Sequence, residues 1–360
     1  MKKRKWGKIL SIGFILLSML IVVLIAFNNS ELMNAWDVIV TMDKRWIVIG
    51  LLLMVGYVVA EGTGLYAFLR MEGYKVKLST ASHFSFAGIY YANVTPGSSG
   101  GQPMQIYLMS QRQIPAGVAT SALLARAFFN QVVEVALAVI LWLCNWNFVA
   151  EHLAGVIPVI ILGCLVNFFC VPAILLISFH RNWVESIVRW GIRFLTKHHI
   201  CKNPEEWQAS SDRTIEYFHS SLMDLVHHPL HLLIQMLVSI VEMLCLMAVP
   251  LLVYYAMGLS GTPWYQTLTV AFLLFVSANY TPLPGASGAQ EGGFLLFFRD
   301  IFTGGTVSVA LLVWRFITYY LYLIVGCADS IFTSLRGRKK PILHVPRRKE
   351  REKKEPKEQE

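Results

Sequence analysis

Apolar positions along this chain come in long unbroken blocks rather than at the short periods of half-buried strands or surface helices. Crossing a hydrocarbon core about 30 Å thick takes roughly 20 apolar residues in a helix. Blocks of that order predict spans near residues 9–27, 47–69, 116–143, 155–178, 231–257 and 306–333. Two further apolar segments, 79–93 and 265–280, are too short. The first reaches only about 22 Å at 1.5 Å per residue. Each runs into a break rich in Pro, Gly and Ser, "TPGSSGGQ" from Thr95 and "TPLPGASGAQ" from Thr281. The pattern therefore predicts an all-α polytopic membrane protein with about six full spans and two re-entrant broken-helix hairpins.

The two breaks align. Asn93-Val94-Thr95-Pro96-Gly97-Ser98-Ser99-Gly100-Gly101-Gln102 matches Asn279-Tyr280-Thr281-Pro282, then Gly285-Ala286-Ser287-Gly288-Ala289-Gln290, once Leu283 and Pro284 are treated as an insertion. Arg126 follows Gln102 by 24 residues and Arg315 follows Gln290 by 25, while Glu61 and Glu242 each occupy the span before a break. The chain thus reads as two copies of one unit. Residues 9–146 form the first and 147–334 the second, with a cytoplasmic amphipathic loop at 180–230 and basic ends at 1–8 and 335–360. Counting crossings turns the second copy over relative to the first. An inverted repeat with discontinuous helices is the sequence pointer to a transporter, its site at the midplane. Non-helical backbone at that depth must be buried in protein or line a watery cavity, because lipid satisfies no backbone polar group.

Composition changes this picture little, but charge orients it. The 360 residues are 55% hydrophobic and 15% charged, with net charge +9. A cytoplasmic N-terminus puts Arg70, Lys75, Lys77, Arg112, the 181–213 loop and the 336–357 tail on one side, leaving Lys44, Arg45 and Arg299 outside. That is the positive-inside distribution. The basic charge is thereby assigned to topology and anionic lipid heads, not to nucleic acid. Lys2 to Lys5 before the first span, with no small-residue cleavage site after it, read as a retained signal anchor. The six cysteines lack C-x-x-C or metal spacing, and Pro229 interrupts the His227, His228 and His231 group, so no metal or other cofactor is expected. Trp183, Ile187, Trp190 and Phe194 recur at helical spacing among basic residues. They predict an amphipathic helix that lies on the inner leaflet or docks on the protein's own cytoplasmic face.

The candidate chemistry lies at the breaks. Ser99-Gly100-Gly101-Gln102 and Ser287-Gly288-Ala289-Gln290 spell capping boxes, in which the serine caps a helix and the glutamine reaches back. Each tip then launches a half-helix whose free amides and positive dipole end favour an anionic group such as phosphate. Arg126 and Arg315 are costly inside a membrane and suited to phosphate oxygens. They serve equally to neutralise Glu61, Glu134, Glu242 or Glu291, and both roles stay open. Carboxylates beside a phosphate site suit an amine-bearing head group, with Glu134 and Glu291 the candidates. The substrate-binding set is Thr95, Gly97, Ser99, Gly100, Gln102, Arg126, Glu134, Thr281, Gly285, Ser287, Gly288, Gln290, Glu291 and Arg315. No catalytic residue is assigned, because the chain shows no nucleophile constellation or phosphate loop.

At "NVTPGSSGGQP" with Arg126, and at "PLPGASGAQEGG" with Arg315, the sequence resembles the lysylphosphatidylglycerol synthase transmembrane-region family. That family is the flippase-like membrane half of the bacterial multiple peptide resistance factor, and the resemblance covers roughly residues 10–335. It implies a bacterial plasma-membrane protein that handles phosphatidylglycerol or its lysyl form and counters cationic antimicrobial peptides. Full-length members also carry a lysyl-tRNA-dependent synthase domain, for which the residues after the last span are too few. The expectation is a lipid translocase; the alternative is a phosphatidylglycerol lysyltransferase, alone or with a separate cytoplasmic synthase. The partners it admits are an anionic or aminoacylated phospholipid, that synthase and a second copy of the chain.

Overall fold

The computed structural model describes residues 35–197, 204–278, 281, 283–303, 305–335 and 341–343, and its regular elements are helices. A short α1 (Ala35–Thr41) leads into α2 (Lys44–Met71), whose start is capped by Asp43 accepting from the Arg45 amide at 3.0 Å. Next come α3 (Leu78–Val94), α4 (Gly101–Ser110), α5 (Ala116–Cys144), α6 (Trp146–His152) and α7 (Ile157–Phe179). The connecting region holds α8 (Arg181–Lys197) and α9 (Pro204–Val226). The second half runs α10 (Pro229–Met247), α11 (Val249–Ala256), α12 (Trp264–Ala278), α13 (Ala289–Phe297) and α14 (Val307–Arg315). A π-helical turn at Phe316–Tyr320 then leads into α15 (Leu321–Leu335).

Among the described residues, four stretches are long and apolar enough to cross a membrane: Lys44–Met71, Ala116–Cys144, Pro229–Ala256 and Val307–Thr333. They correspond to the blocks expected at 47–69, 116–143, 231–257 and 306–333. The block at 155–178 belongs to a pair of helices bent by 85°, Trp146–His152 with Ala154–Phe169, which makes a fifth span only if counted as one. The block at 9–27 and the basic ends lie outside the described residues.

Backbone contacts sort the loops onto two sides. On one, the Lys75 amide donates to Leu343 O and the Ile342 amide to Arg112 O, both at 2.9 Å, so residues 341–343 strap the α2–α3 and α4–α5 connections. The start of α5 packs on α9 there, with Ser121 Oγ donating to Phe218 O at 2.8 Å. On the other side the Asp43 amide donates to Ala256 O at 2.9 Å, and Asn145 Nδ2 to Thr269 Oγ1 at 2.9 Å. Hence α3 and α4 leave from and return to the first side, whereas α12 and α13 leave from and return to the second.

Lipid tails are as apolar as leucine, so helix association in a membrane rests on close packing and buried polar contacts rather than on escape from water. Gly62 on α2 illustrates the first: a side chain there would overlap Ser82, which brings α3 against α2. The short α12 is enclosed by its neighbours, with every residue from Thr267 to Leu274 buried. Beside it Phe294 stacks on Phe298 and Trp314 at 4.4 and 4.8 Å between ring centres. A helix too short to cross is thereby shielded by protein.

On α8, Ile192 is buried, but Trp183, Ile187, Trp190 and Phe194 are all at least half exposed. Of the two expectations for this stripe, docking on the protein is therefore not adopted.

Candidate functional site at the hairpin tips

Both tips use one backbone device. The residue before proline is pushed into extended conformation, and Thr95 adopts φ −117°, ψ 143° ahead of Pro96. Two consecutive left-handed residues follow, Gly97 (φ 57°) and Ser98 (φ 55°). The second tip repeats this at Gly285 (φ 60°) and Ala286 (φ 49°). Left-handed conformation at Ser98 and Ala286 costs about 1–2 kcal/mol each. The turn is held by short bonds: the Ser98 amide donates to Thr95 O at 3.2 Å and the Ala286 amide to Leu283 O at 3.0 Å.

The serines do not cap the following helices, contrary to the capping-box reading. Ser99 Oγ donates to Pro96 O at 2.8 Å and Ser287 Oγ to Pro284 O at 2.9 Å, so each braces its own turn. The helix caps are Gly100 and Gly288. At the second tip Glu291, not Gln290, reaches back, its Oε2 accepting the Gly288 amide at 2.5 Å. One residue of register separates the two, because the tight turn advances the helix start from serine to glycine. Thr95 is consumed internally as well, donating to Tyr91 O at 2.7 Å and accepting the Gly100 amide at 2.8 Å.

The charged residues cluster behind these tips. Arg126 Nη1 lies 2.7 Å from Glu61 Oε1 and its Nη2 3.3 Å from Glu242 Oε1. Gln105 Nε2 donates to the same Glu61 oxygen at 3.2 Å, and Asn130 Nδ2 to the same Glu242 oxygen at 2.8 Å. Arg315 Nε lies 2.9 Å from Glu291 Oε1, with both terminal nitrogens 3.4 Å from Gly285 O. Its guanidinium also stands over the Trp314 and Tyr319 rings at 5.1 and 5.2 Å. All five charged residues are buried. Each arginine is thus neutralised by acid, and the first by two; such fully desolvated groups hold their places through their partners.

A cavity of about 440 Å³ opens between the tips. Its lining takes Asn93, Ser98, Gly101 and Gln102 from the first tip and Thr281, Gly285, Ala286 and Gln290 from the second, with Glu61, Arg126, Asn130 and Arg315 in the walls. Tyr319, on the π turn, touches both sides, its hydroxyl donating to Asn93 O at 3.3 Å and its ring packing on Gly285. A single widened turn inside a helix is a common feature of functional sites. Here it places Arg315 and Tyr319 together against the second tip.

Of the residues singled out from sequence, Gln102, Arg126, Thr281, Gly285, Gln290 and Arg315 line this cavity. Thr95, Gly97, Ser99, Gly100, Ser287 and Gly288 build the turns behind it, and Glu291 meets it through Arg315. Glu134 stands apart: buried on α5, its Oε1 has no hydrogen-bond partner and its neighbour is Cys164 of α7. Asn279, Tyr280 and Pro282 of the second motif lie outside the described residues. Sequence reading missed Gln105, Asn130, Tyr57, Tyr319 and Tyr322, which also line the cavity. Gln105 and Asn130 were findable, since each follows a flagged residue by one helical turn.

Residues 9–326 match the family described as "Lysylphosphatidylglycerol synthase TM region". The chain is also 20% identical over 330 residues to a UPF0104 membrane protein of Archaeoglobus fulgidus, an alignment covering 91% of this chain and 98% of that relative. With most of its length matched, the chain is a multi-pass membrane protein that belongs to the lysylphosphatidylglycerol synthase transmembrane-region family.

Proposed function

We propose that this protein moves phospholipids across the membrane, holding a phosphate-bearing head group, anionic or aminoacylated, between the two tips while the acyl chains stay in the bilayer. The observation that carries this reading is that the two breaks, far apart in sequence and returning to opposite sides, share one cavity with a guanidinium at each. A volume of about 440 Å³ suits a lipid head group rather than a whole lipid. The polar wall supplies donors to phosphate oxygens, and Glu61 offers a carboxylate to an amine.

In this reading the architecture is an inverted repeat of six spans and two re-entrant hairpins, and the two halves rock to expose the head group alternately. Both termini lie, in this reading, on the cytoplasmic face of a bacterial plasma membrane, and the excess of Lys and Arg assigned to that side supports it. With lysyl-phosphatidylglycerol as cargo, made by a separate cytoplasmic synthase, outward movement reduces negative surface charge and with it the attraction of cationic peptides.

The test is reconstitution of purified protein with a leaflet-resolved assay of labelled phosphatidylglycerol and its lysyl derivative. Gln102→Ala with Gln290→Ala, and separately Arg126→Ala with Arg315→Ala, are expected to abolish movement with insertion retained. Wild-type movement in correctly inserted samples of both double variants eliminates the cavity as the path.

A further inference from the structure

The acids in the two spans that precede the breaks converge on one cation. Glu61 on α2 and Glu242 on α10 both bond Arg126, at 2.7 and 3.3 Å, whereas Arg315 faces a single carboxylate. The groups facing this triad are uncharged or weakly acidic: Tyr57 on α2, Gln105 on α4, Asn130 on α5, Ser239 and Cys245 on α10, and Tyr322 on α15. Among the described residues no second cation pairs with either acid. Two buried carboxylates therefore share one guanidinium, and Glu242 keeps an oxygen, Oε2, with no hydrogen-bond partner.

A phosphate head group entering this cavity adds a third anion. Glu61 and Arg126 both line the cavity, so phosphate reaches the Arg126 fork by replacing Glu61 there. Among the described residues the other cation of this cavity, Arg315, is already paired with Glu291, so the displaced carboxylate gains no free partner, and an uncompensated buried charge costs several kcal/mol. Protonation of a carboxylate removes that charge, and intramembrane acids are the usual carriers of protons in transporters.

Resting on the head-group reading of the cavity, we propose that the Glu61/Glu242 pair takes up one proton for each anionic head group bound that brings no amine of its own, which makes movement of such a lipid a proton symport. One O–H bond forms on a carboxylate oxygen as one breaks in a hydronium ion delivered through water admitted to the cavity, which leaves neutral water behind. The Arg126–carboxylate hydrogen bond gives way to an Arg126–phosphate one, and no electrons change hands. On release the steps reverse on the other side.

Purified full-length protein in detergent, titrated with short-chain phosphatidylglycerol in two buffers of different ionisation enthalpy, reads the proton count directly. The wild type is expected to take up about one proton per lipid bound, and Glu61→Gln and Glu242→Gln to take up clearly less for each lipid they bind, whatever their affinity. In vesicles, a pH gradient speeds wild-type lipid movement in the direction of proton flow and leaves the Gln variants unaffected. Lipid binding without proton exchange in the wild type overturns the symport and leaves the head-group site standing. Unchanged uptake in both Gln variants also overturns it, since the proton then resides elsewhere. Absence of lipid binding by the wild type sinks the head-group reading and this inference together.

Discussion

Gly285 lies flat against the ring of Tyr319, so closely that a side chain at this position would overlap the ring carbons. Gly97, its counterpart in the first tip, has the same left-handed backbone but nothing within 4 Å of where a side chain would stand. The pair separates backbone strain from crowding. Gly97→Ala is expected to cost about 1–2 kcal/mol, the left-handed penalty alone. Gly285→Ala should cost clearly more and shift Tyr319 off Asn93. Thermal unfolding in detergent checks the ranking; equal losses would mean that Tyr319 does not press on the second tip.

Arg126 holds two acids, so its loss should be felt through them. Arg126→Ala leaves Glu61 and Glu242 buried without their cation and is expected to destabilise by about 3–5 kcal/mol. Adding Glu61→Gln and Glu242→Gln should recover most of this. A triple variant no more stable than the single one would show that the guanidinium contributes packing rather than charge.

The two tip turns pack against each other, and Ser98 and Ala286 both line the cavity between them. Cysteines placed there are expected to be joined by a short bis-maleimide and to be protected from it by added phospholipid. Single labelling of each without joining would place the tips apart.

The exposed aromatic stripe of α8 predicts contact with lipid. Brominated phospholipids should quench the fluorescence of Trp190, measured as the difference between wild type and Trp190→Phe. Absent quenching would mean that another surface covers the stripe.

Much of this protein could be read from its chain because membrane helices are selected by local composition. A run of Leu, Ile and Val long enough to cross declares itself wherever it occurs, as Lys44–Met71 and Ala116–Cys144 do. The tips were legible for a similar reason: proline and glycine restrict or free their own backbone dihedrals, whatever surrounds them. Local signals misled where one residue of register mattered, as when Glu291 rather than Gln290 closed the turn. They also failed where a helix face had to be assigned, since Glu134 lies on the same helix as Arg126 yet faces away from the cavity.

By itself, then, the sequence determined which segments are helical and apolar, where they break, and that the breaks are related. Only the tertiary structure decided which charges meet. Glu61, Arg126 and Glu242 are brought together by three helices packing side by side, and the second tip is joined to Tyr319 by a widened helical turn. Hydropathy and turn chemistry act within a few residues of chain. An ion pair or a cavity wall depends on positions that packing alone makes neighbours.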